Sequence, residues 1–346
     1  MKKAYFIILT SILILFTAAC GQTDTLPQEN NDADKLTIYT TVYPLTYFTE
    51  RIGGNLVQVK SIYPTGSNEH TFDPTQKDMM NLADADLFFY IGMGLEGFVD
   101  NAKKTLANEQ VKLIATSNSV SDEDLVQEEI HEDEGTDEES HAKEDEDTHV
   151  HEEKDTHANE NEAVENHDDH DHGDIDPHLW ISPTISIKLA KSIQDSLIEQ
   201  DPANEETYTK NFDALQTELE ALDMKFQEMA NNVPNKTFFV SHAAFGYLAG
   251  AYGLEQVAIA GLNSQDEPSQ KELTEIVELA KEKQIKTILF EQNVSSNLAK
   301  VIQSEVGAES GILHNLSVLT EEDIQNEETY FTLMEKNLTT LEEALK

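Results

Sequence analysis

The chain of 346 residues is strongly acidic, with 67 Asp and Glu against 23 Lys and Arg and a formal net charge of -44. Such a charge repels nucleic acid and attracts cations, so we exclude nucleic-acid binding. The length suggests two domains of ordinary size, and hydrophobic residues at 38% of the chain are enough for folded cores.

The first 34 residues have the pattern of an export signal followed by a tether. Residues 1–19 combine two lysines with a mostly apolar run that is too short to span a bilayer permanently. Cys20, the only cysteine, follows small residues and precedes a glycine as in a bacterial lipobox, although Thr17 stands where an apolar residue is usual. We predict that Cys20 is lipidated and that residues 20–34 tether the protein to the outer face of the cell membrane. The alternative is an ordinary cleaved signal with an incidental cysteine.

After residue 35, short β-rich runs alternate with helical patterns. Strands are predicted at about 36–41, 56–63, 87–91 and 111–115. Thr75 and Asp78 have the spacing of a capping box at the start of one of the helices between them. Strands that alternate with helices predict a parallel α/β sheet.

The alternating pattern breaks between residues 122 and 177. This segment is dominated by Asp and Glu, has almost no large apolar side chains and contains eight of the twelve histidines. Because this composition cannot bury enough apolar surface to fold, we predict a disordered insertion within an N-terminal lobe at 35–200. The segment includes histidines that can chelate a metal weakly without a folded site: His149, His151, His167, His170 and His172.

A long helical pattern follows the insertion. It starts at Pro202 and continues to about Ala230, which corresponds to roughly 45 Å at 1.5 Å per residue. We predict a linker helix at 201–232 and a C-terminal α/β lobe at 233–346. Strands of this lobe are predicted near 237–241, 257–260 and 286–290, and its last helix from about 327. The predicted fold class is therefore α/β, with two lobes of parallel strands joined by a long rigid helix.

Four histidines lie outside the insertion: His70, His178, His242 and His314. The first three stand in loops or turns next to predicted strands and helices. Ligand sites in α/β sheets form outside the carboxyl ends of strands, so these three imidazoles are placed to converge on a cleft between the lobes. Three histidines plus one further ligand is a recurring zinc set. From spacing alone, however, an isolated histidine is more often a surface or core residue.

Several longer stretches resemble the solute-binding lipoproteins of zinc and manganese ABC importers, the cluster A-I group, in particular its zinc-uptake branch (ZnuA/AdcA-like). They run in the family's order over nearly all of 35–346: TTVYPLTYFTERIGG, EHTFDPTQKDMMNLADADLFFY, DPHLWISP, VSHAAFGYLAGAYGL, IAGLNSQDEPS, ILFEQNVSS and TYFTLMEKNL. The resemblance implies two α/β lobes bridged by a rigid helix. It also implies that His70, His178 and His242 bind the metal.

The same resemblance bears on the metal and on its fourth ligand. Manganese members usually present a carboxylate where this chain has His242, which favours zinc. Many zinc members have Glu or Asp at the position of Ser317, whose hydroxyl is a poor zinc ligand. The fourth ligand is thus left open among water, Glu69 and His314. Glu291 is predicted to orient a histidine or to bind the metal occasionally.

The resemblance implies a function without catalysis. The protein is expected to capture Zn2+ outside the cytoplasm, as a monomer held on the lipid bilayer by acylated Cys20, and to deliver it to an ABC permease and its ATPase. The insertion is interpreted either as an antenna that raises the local zinc concentration or as a tolerated, solvated segment. The alternatives are a manganese-binding or adhesin-type lipoprotein of the family, and a secreted zinc hydrolase, against which the lack of a general-base motif speaks.

Overall fold

The computed structural model describes residues 35–125, 175–266, 268–292 and 296–346. The predicted signal, the tether with Cys20, and five insertion histidines lie outside the described residues: His149, His151, His167, His170 and His172. Within the described ranges, no helix combines the length and apolar character needed to cross a bilayer.

The N-terminal lobe is built on four strands. They are β1 (Leu36–Thr40), β2 (Val57–Ser61), β3 (Leu87–Tyr90) and β4 (Lys112–Ala115). They form one parallel sheet in the order β2-β1-β3-β4. Its helices are α1 (Tyr43–Gly53), α2 (Gln76–Ala83), α3 (Val99–Thr105) and α4 (Asp122–Leu125). Strand β3 (LFFY) is buried throughout, because parallel sheets are covered on both faces.

The C-terminal lobe repeats this topology. Its strands are β5 (Thr237–His242), β6 (Glu255–Ala260), β7 (Thr287–Phe290) and β8 (Glu309–Ile312), all parallel in the order β6-β5-β7-β8. Its helices are α7 (Gly246–Ala251), α8 (Gln270–Glu282), α9 (Asn297–Val306), α10 (Glu321–Gln325) and α11 (Tyr330–Ala344). The predicted architecture of two α/β lobes with parallel sheets is confirmed.

A pair of helices connects the two sheets: α5 (Pro183–Gln200) and the long helix α6 (Glu205–Asn232). The 28 residues of α6 correspond to about 42 Å of helix. Its buried side chains recur every three or four residues, as in Tyr208, Phe212 and Leu215, and form the stripe that packs against α1, α5 and α11. Arg51 of α1 and Glu218 of α6 add an ion pair at 2.6 Å.

Some boundaries differ from the sequence predictions. Both described edges of the predicted insertion 122–177 are folded: residues 122–125 form α4, where Asp124 pairs with Lys188, and Asp176 is buried. Strand β8 and helix α10 were not predicted. The last helix starts at Tyr330, three residues later than predicted, because Glu327 has a left-handed backbone (φ 55°) that ends the preceding turn.

Both sheets have a switch point, where successive connections leave the central strands in opposite directions. The switch lies between β1 and β3 in one lobe and between β5 and β7 in the other. Parallel sheets open a crevice for ligands outside the carboxyl ends of such strands. His242 is the last residue of β5, and Glu291 directly follows β7. The C-terminal sheet therefore places these two side chains at its crevice.

Candidate metal centre

Three histidines from separate segments meet in one cluster. His70 lies in the loop between β2 and α2, His178 precedes a short 3-10 turn (Leu179–Ile181), and His242 ends β5. Their ring centroids are 4.9–5.3 Å apart. A possible ligand nitrogen of each lies within 4.8 Å of the other two. Within the described ranges, no other group of three His, Cys, Asp or Glu side chains meets this criterion.

The ring of His178 is fully buried and is oriented by Asp176. Oδ1 of Asp176 accepts hydrogen bonds from the backbone N–H of His178 at 2.9 Å and from its ring Nδ1 at 2.7 Å. Nδ1 therefore carries the proton, and Nε2, which lies 3.2 Å from Nε2 of His70, is left for a metal. Sequence analysis missed Asp176. Its signal was the Asp-x-His spacing, since Asp favours such a bond to the residue two positions on.

The ring of His242 is bonded at both nitrogens. Its Nδ1 donates to Oε1 of Glu291 at 2.9 Å, and its Nε2 donates to the carbonyl oxygen of Leu262 at 2.9 Å. Two acceptors favour the doubly protonated imidazolium. Burial lowers the pKa of His242, but the charge of Glu291 and these hydrogen bonds outweigh it and raise the pKa to about 9. A metal at Nε2 therefore replaces both a proton and a carbonyl.

The ring of His70 has a different environment. Burial, followed by the neighbouring rings of His178 and His242, lowers the pKa of His70 to about 3, so its imidazole is neutral at physiological pH. Its backbone N–H donates to Oδ1 of Asn68 at 2.9 Å, and Nδ2 of Asn68 donates to Oγ of Ser264 at 3.0 Å. The loop that carries His70 is thus bonded to the loop that follows β6.

None of the four residues considered for the fourth ligand belongs to the cluster of three histidines. Glu69 and Glu291 are buried, and each accepts a hydrogen bond from Nδ2 of Asn315, at 3.0 Å and 2.6 Å. Burial, together with the charge of Glu291, raises the pKa of Glu69. The hydroxyl of Ser317 donates to Oδ1 of Asn315 at 2.9 Å.

His314 is engaged elsewhere. Its Nε2 donates to Oδ2 of Asp323 at 3.1 Å, and its Nδ1 accepts from the backbone N–H of Leu316 at 2.9 Å. Both ring nitrogens are therefore used, and the described metal cluster does not include this histidine. His314 holds the segment that follows β8 in place.

Three imidazoles, two of them oriented by carboxylates, are the donor set of a zinc site, and His242 must first lose its Nε2 proton. A family model described as "Zinc-uptake complex component A periplasmic", ZnuA, matches residues 38–344. The high-affinity zinc uptake system protein ZnuA of Bacillus subtilis is 34% identical over 344 residues, which are 99% of this chain and 98% of that protein.

The zinc-binding lipoprotein AdcA of Streptococcus pneumoniae is 35% identical over 349 residues, or 99% of this chain. The chain spans only 61% of the length of that relative. The crystal structure of Zn(II)-bound AdcA superposes with a TM-score of 0.68 at 33% identity, covering 90% of this chain and 58% of AdcA. A mutant structure of the laminin-binding adhesin Lmb of Streptococcus agalactiae has a TM-score of 0.71 at 27% identity, covering 90% of this chain and 100% of Lmb.

Proposed function

We propose that this chain, which belongs to the zinc-uptake complex component A family, captures zinc outside the cytoplasm and delivers it to an ABC permease. The observation that carries the proposal is the cluster of His70, His178 and His242, whose possible ligand nitrogens lie within 4.8 Å of one another. The names of the Bacillus and pneumococcal relatives, a zinc uptake protein and a zinc-binding lipoprotein, support the same function.

The ligands favour zinc over manganese. All three proposed ligands are imidazoles, which suit zinc, whereas manganese prefers carboxylate, carbonyl and water oxygens. Asp176 and Glu291 are already bonded to Nδ1 of His178 and His242. The carboxylates thus accept hydrogen bonds from the rings, and the rings are the proposed metal ligands, an arrangement typical of zinc sites.

We infer that a water molecule supplies the fourth ligand. His314 has both ring nitrogens bonded, and the hydroxyl of Ser317 is bonded to Asn315. Glu69 and Glu291 share the amide of Asn315, so one oxygen of each carboxyl group already has a hydrogen-bond partner. Zinc in proteins commonly combines three side-chain ligands with water.

Transport of this kind needs no bond chemistry beyond the making and breaking of metal–ligand bonds, so we propose no enzymatic activity. The partners are an ABC permease and its ATPase. We further propose that an acylated Cys20 anchors the protein, as a monomer, to the lipid bilayer at the outer face of the cell membrane. The support is the small residues, cysteine and glycine that follow the apolar N-terminal run.

The histidine-rich segment is proposed to be an antenna that binds zinc weakly and raises its concentration near the cleft. Its support is the density of histidines, such as His149, His151 and His167, within a strongly acidic segment. Isothermal titration of a variant without residues 126–174 tests it. Fewer weak sites than in the full chain are expected, and an unchanged stoichiometry in excess zinc would remove the antenna hypothesis.

Metal analysis and growth together test the transport function. Purified protein is expected to contain zinc and to bind Zn2+ far more tightly than Mn2+ in a competition with a chromophoric chelator. A strain without this gene is expected to grow poorly when a chelator limits zinc and to recover when zinc is added. Normal growth of that strain under zinc limitation would contradict the transport function, even if the protein binds zinc.

A further inference from the structure

Asn315, in the segment that follows β8, has hydrogen-bond partners for its backbone as well as its side chain. Asn315 is fully buried. Its backbone oxygen accepts from Nε1 of Trp180 at 2.6 Å, and its backbone N–H donates to Oε1 of Gln292 at 3.4 Å. Leu316, the next residue, is buried with a left-handed backbone (φ 59°), a strained conformation for a leucine. The surrounding contacts therefore hold this segment in one unusual conformation.

The orientation of the Asn315 amide is fixed by its neighbours. Oδ1 is surrounded by three donors: the backbone N–H of Ser317 at 3.0 Å, the hydroxyl of Ser317 at 2.9 Å and Nε2 of Gln292 at 3.2 Å. A flipped amide would place its NH2 group against these donors. The NH2 group must therefore face the opposite side, where it donates to Glu69 and to Glu291.

These two carboxyl groups belong to different halves of the site. Glu69 precedes His70 in the loop after β2 of the N-terminal lobe, and Glu291 follows β7 of the C-terminal lobe and accepts from His242. Two buried carboxyl groups side by side repel each other unless donors hold them. One NH2 group thus links the loop of the first histidine to the group that orients the third.

We propose that Asn315 is a positioning residue for zinc binding, which holds Glu69 and Glu291 together and so sets the separation of His70 and His242. This inference rests on the proposed zinc site. Asn315 itself need not touch the metal. Its Oδ1 shapes its own segment, while its NH2 group acts on two residues outside that segment.

The test compares Asn315→Leu with Asn337→Leu in the full chain. Asn337 is an equally buried asparagine that reaches the same segment, where it accepts from the backbone N–H of His314 and donates to its oxygen, both at 2.7 Å. Both variants loosen the segment, but only Asn315→Leu removes the donors to the carboxyl groups.

Asn315→Leu is expected to weaken zinc binding on the order of 10–100-fold, the range found when partners that orient metal ligands are lost. The measurement is competition with a chromophoric chelator. The visible absorption of one equivalent of Co2+ is expected to change as well, because it reports ligand geometry. Asn337→Leu is expected to lower Tm while leaving the zinc affinity and the Co2+ spectrum close to those of the unchanged protein.

Equal losses of affinity in both variants, or a folded Asn315→Leu protein with unchanged affinity and spectrum, would overturn the proposal. If Asn315→Leu does not fold, Asn315→Ser is used, whose hydroxyl can hold one carboxyl group, and an intermediate loss with a shifted Co2+ spectrum is expected. Failure of the unchanged protein to bind zinc at all would instead refute the proposed function.

Discussion

The two lobes supply the histidine cluster in contrasting ways. In the C-terminal lobe, His242 ends β5 and its ring is bonded to Glu291. Just before the helices that connect the two sheets, the ring of His178 is bonded to its own carboxylate, Asp176. In the N-terminal half, His70 stands on a loop, and the bond to Asn68 holds its backbone instead of its ring. Two of the three proposed ligands are therefore oriented by carboxylates in the absence of a metal, while the orientation of the third depends on its loop.

The largest expected effect is the loss of a ligand. Alanine at His70, His178 or His242 should each weaken zinc binding by more than about 100-fold, beyond the usual cost of losing an orienting partner. The lobes should differ in the chelator-treated protein. His242→Ala leaves Glu291 buried without its ring partner, which costs about 1–3 kcal/mol of unfolding free energy. His70→Ala removes no bond to a carboxylate, since among the described residues the ring of His70 is paired only with Nε2 of His178, at 3.2 Å.

Zinc affinity and Tm of the three alanine variants provide the measurement. A lower Tm for His242→Ala than for His70→Ala would sharpen the contrast between the lobes. Equal Tm values would contradict that contrast, and they would indicate that the loop of His70 is held as firmly as the end of β5.

Loss of the orienting carboxylates should have a smaller effect. Asp176→Asn and Glu291→Gln are each expected to weaken zinc binding by about 10–100-fold, because the rings lose the charge that raises their basicity. Asn68→Ala should have less effect than either, since Asn68 is bonded to the backbone of His70 and not to its ring. Isothermal titration measures all three, and a larger loss for Asn68→Ala would show that the loop limits binding.

The different protonation states of His242 and His70 provide a third test. The charge of Glu291 outweighs burial and raises the pKa of His242 to about 9, while burial and the other histidines lower the pKa of His70 to about 3. Near pH 7 only the C-terminal ligand of this pair must lose a proton to bind zinc. Apparent affinity should therefore rise by about tenfold per pH unit up to about pH 9.

Calorimetry near pH 7 in buffers with different ionisation enthalpies counts the protons that zinc releases. About one proton per zinc at the tight site is expected. Without zinc, the raised pKa of His242 stabilises the fold fully below about pH 6.5, and this contribution is lost as the pH rises through about 9. Release of no proton in any buffer would mean that His242 is already neutral.

The smallest expected effect belongs to Glu69→Gln. If Glu69 only helps to position the loop through Asn315, its amide replacement can still accept that hydrogen bond and zinc affinity should change by less than about threefold, well under the range for orienting partners. X-ray absorption at the zinc edge should report three nitrogens and one oxygen in both proteins. A large loss of affinity would identify Glu69 as the fourth ligand.

The sequence predicts the fold well because local signals agree with the tertiary structure. The capping box of Thr75 and Asp78 starts α2 as expected, and the apolar run LFFY forms the buried strand β3. Strand β8 (ESGI) has no such signal. Its first two residues are polar and exposed, and only pairing with β7 makes it a strand.

The site is predicted only in part, because some of its contacts join residues that are far apart in the sequence. Strand ends and family stretches point to the three histidines, and Glu291 is expected to orient one of them. Asn315 is missed because its role depends on contacts with Glu69, 246 positions away, and with Trp180, 135 positions away. Such long-range hydrogen bonds leave no local pattern in a single sequence.

The carbonyl of Leu262 has a consequence for turnover of the cargo. This oxygen is bonded to Nε2 of His242, so zinc at the proposed site must displace it, and the same hydrogen bond can form again when zinc leaves. A hydrogen bond to a charged group contributes about 1.5–3 kcal/mol, which corresponds to roughly a tenfold to hundredfold factor in an equilibrium constant. The hydrogen bond lowers the affinity for zinc by that factor, and it favours zinc release by the same factor. A protein with the proposed function must both capture and release zinc, and the Leu262 oxygen favours release by competing with zinc for His242.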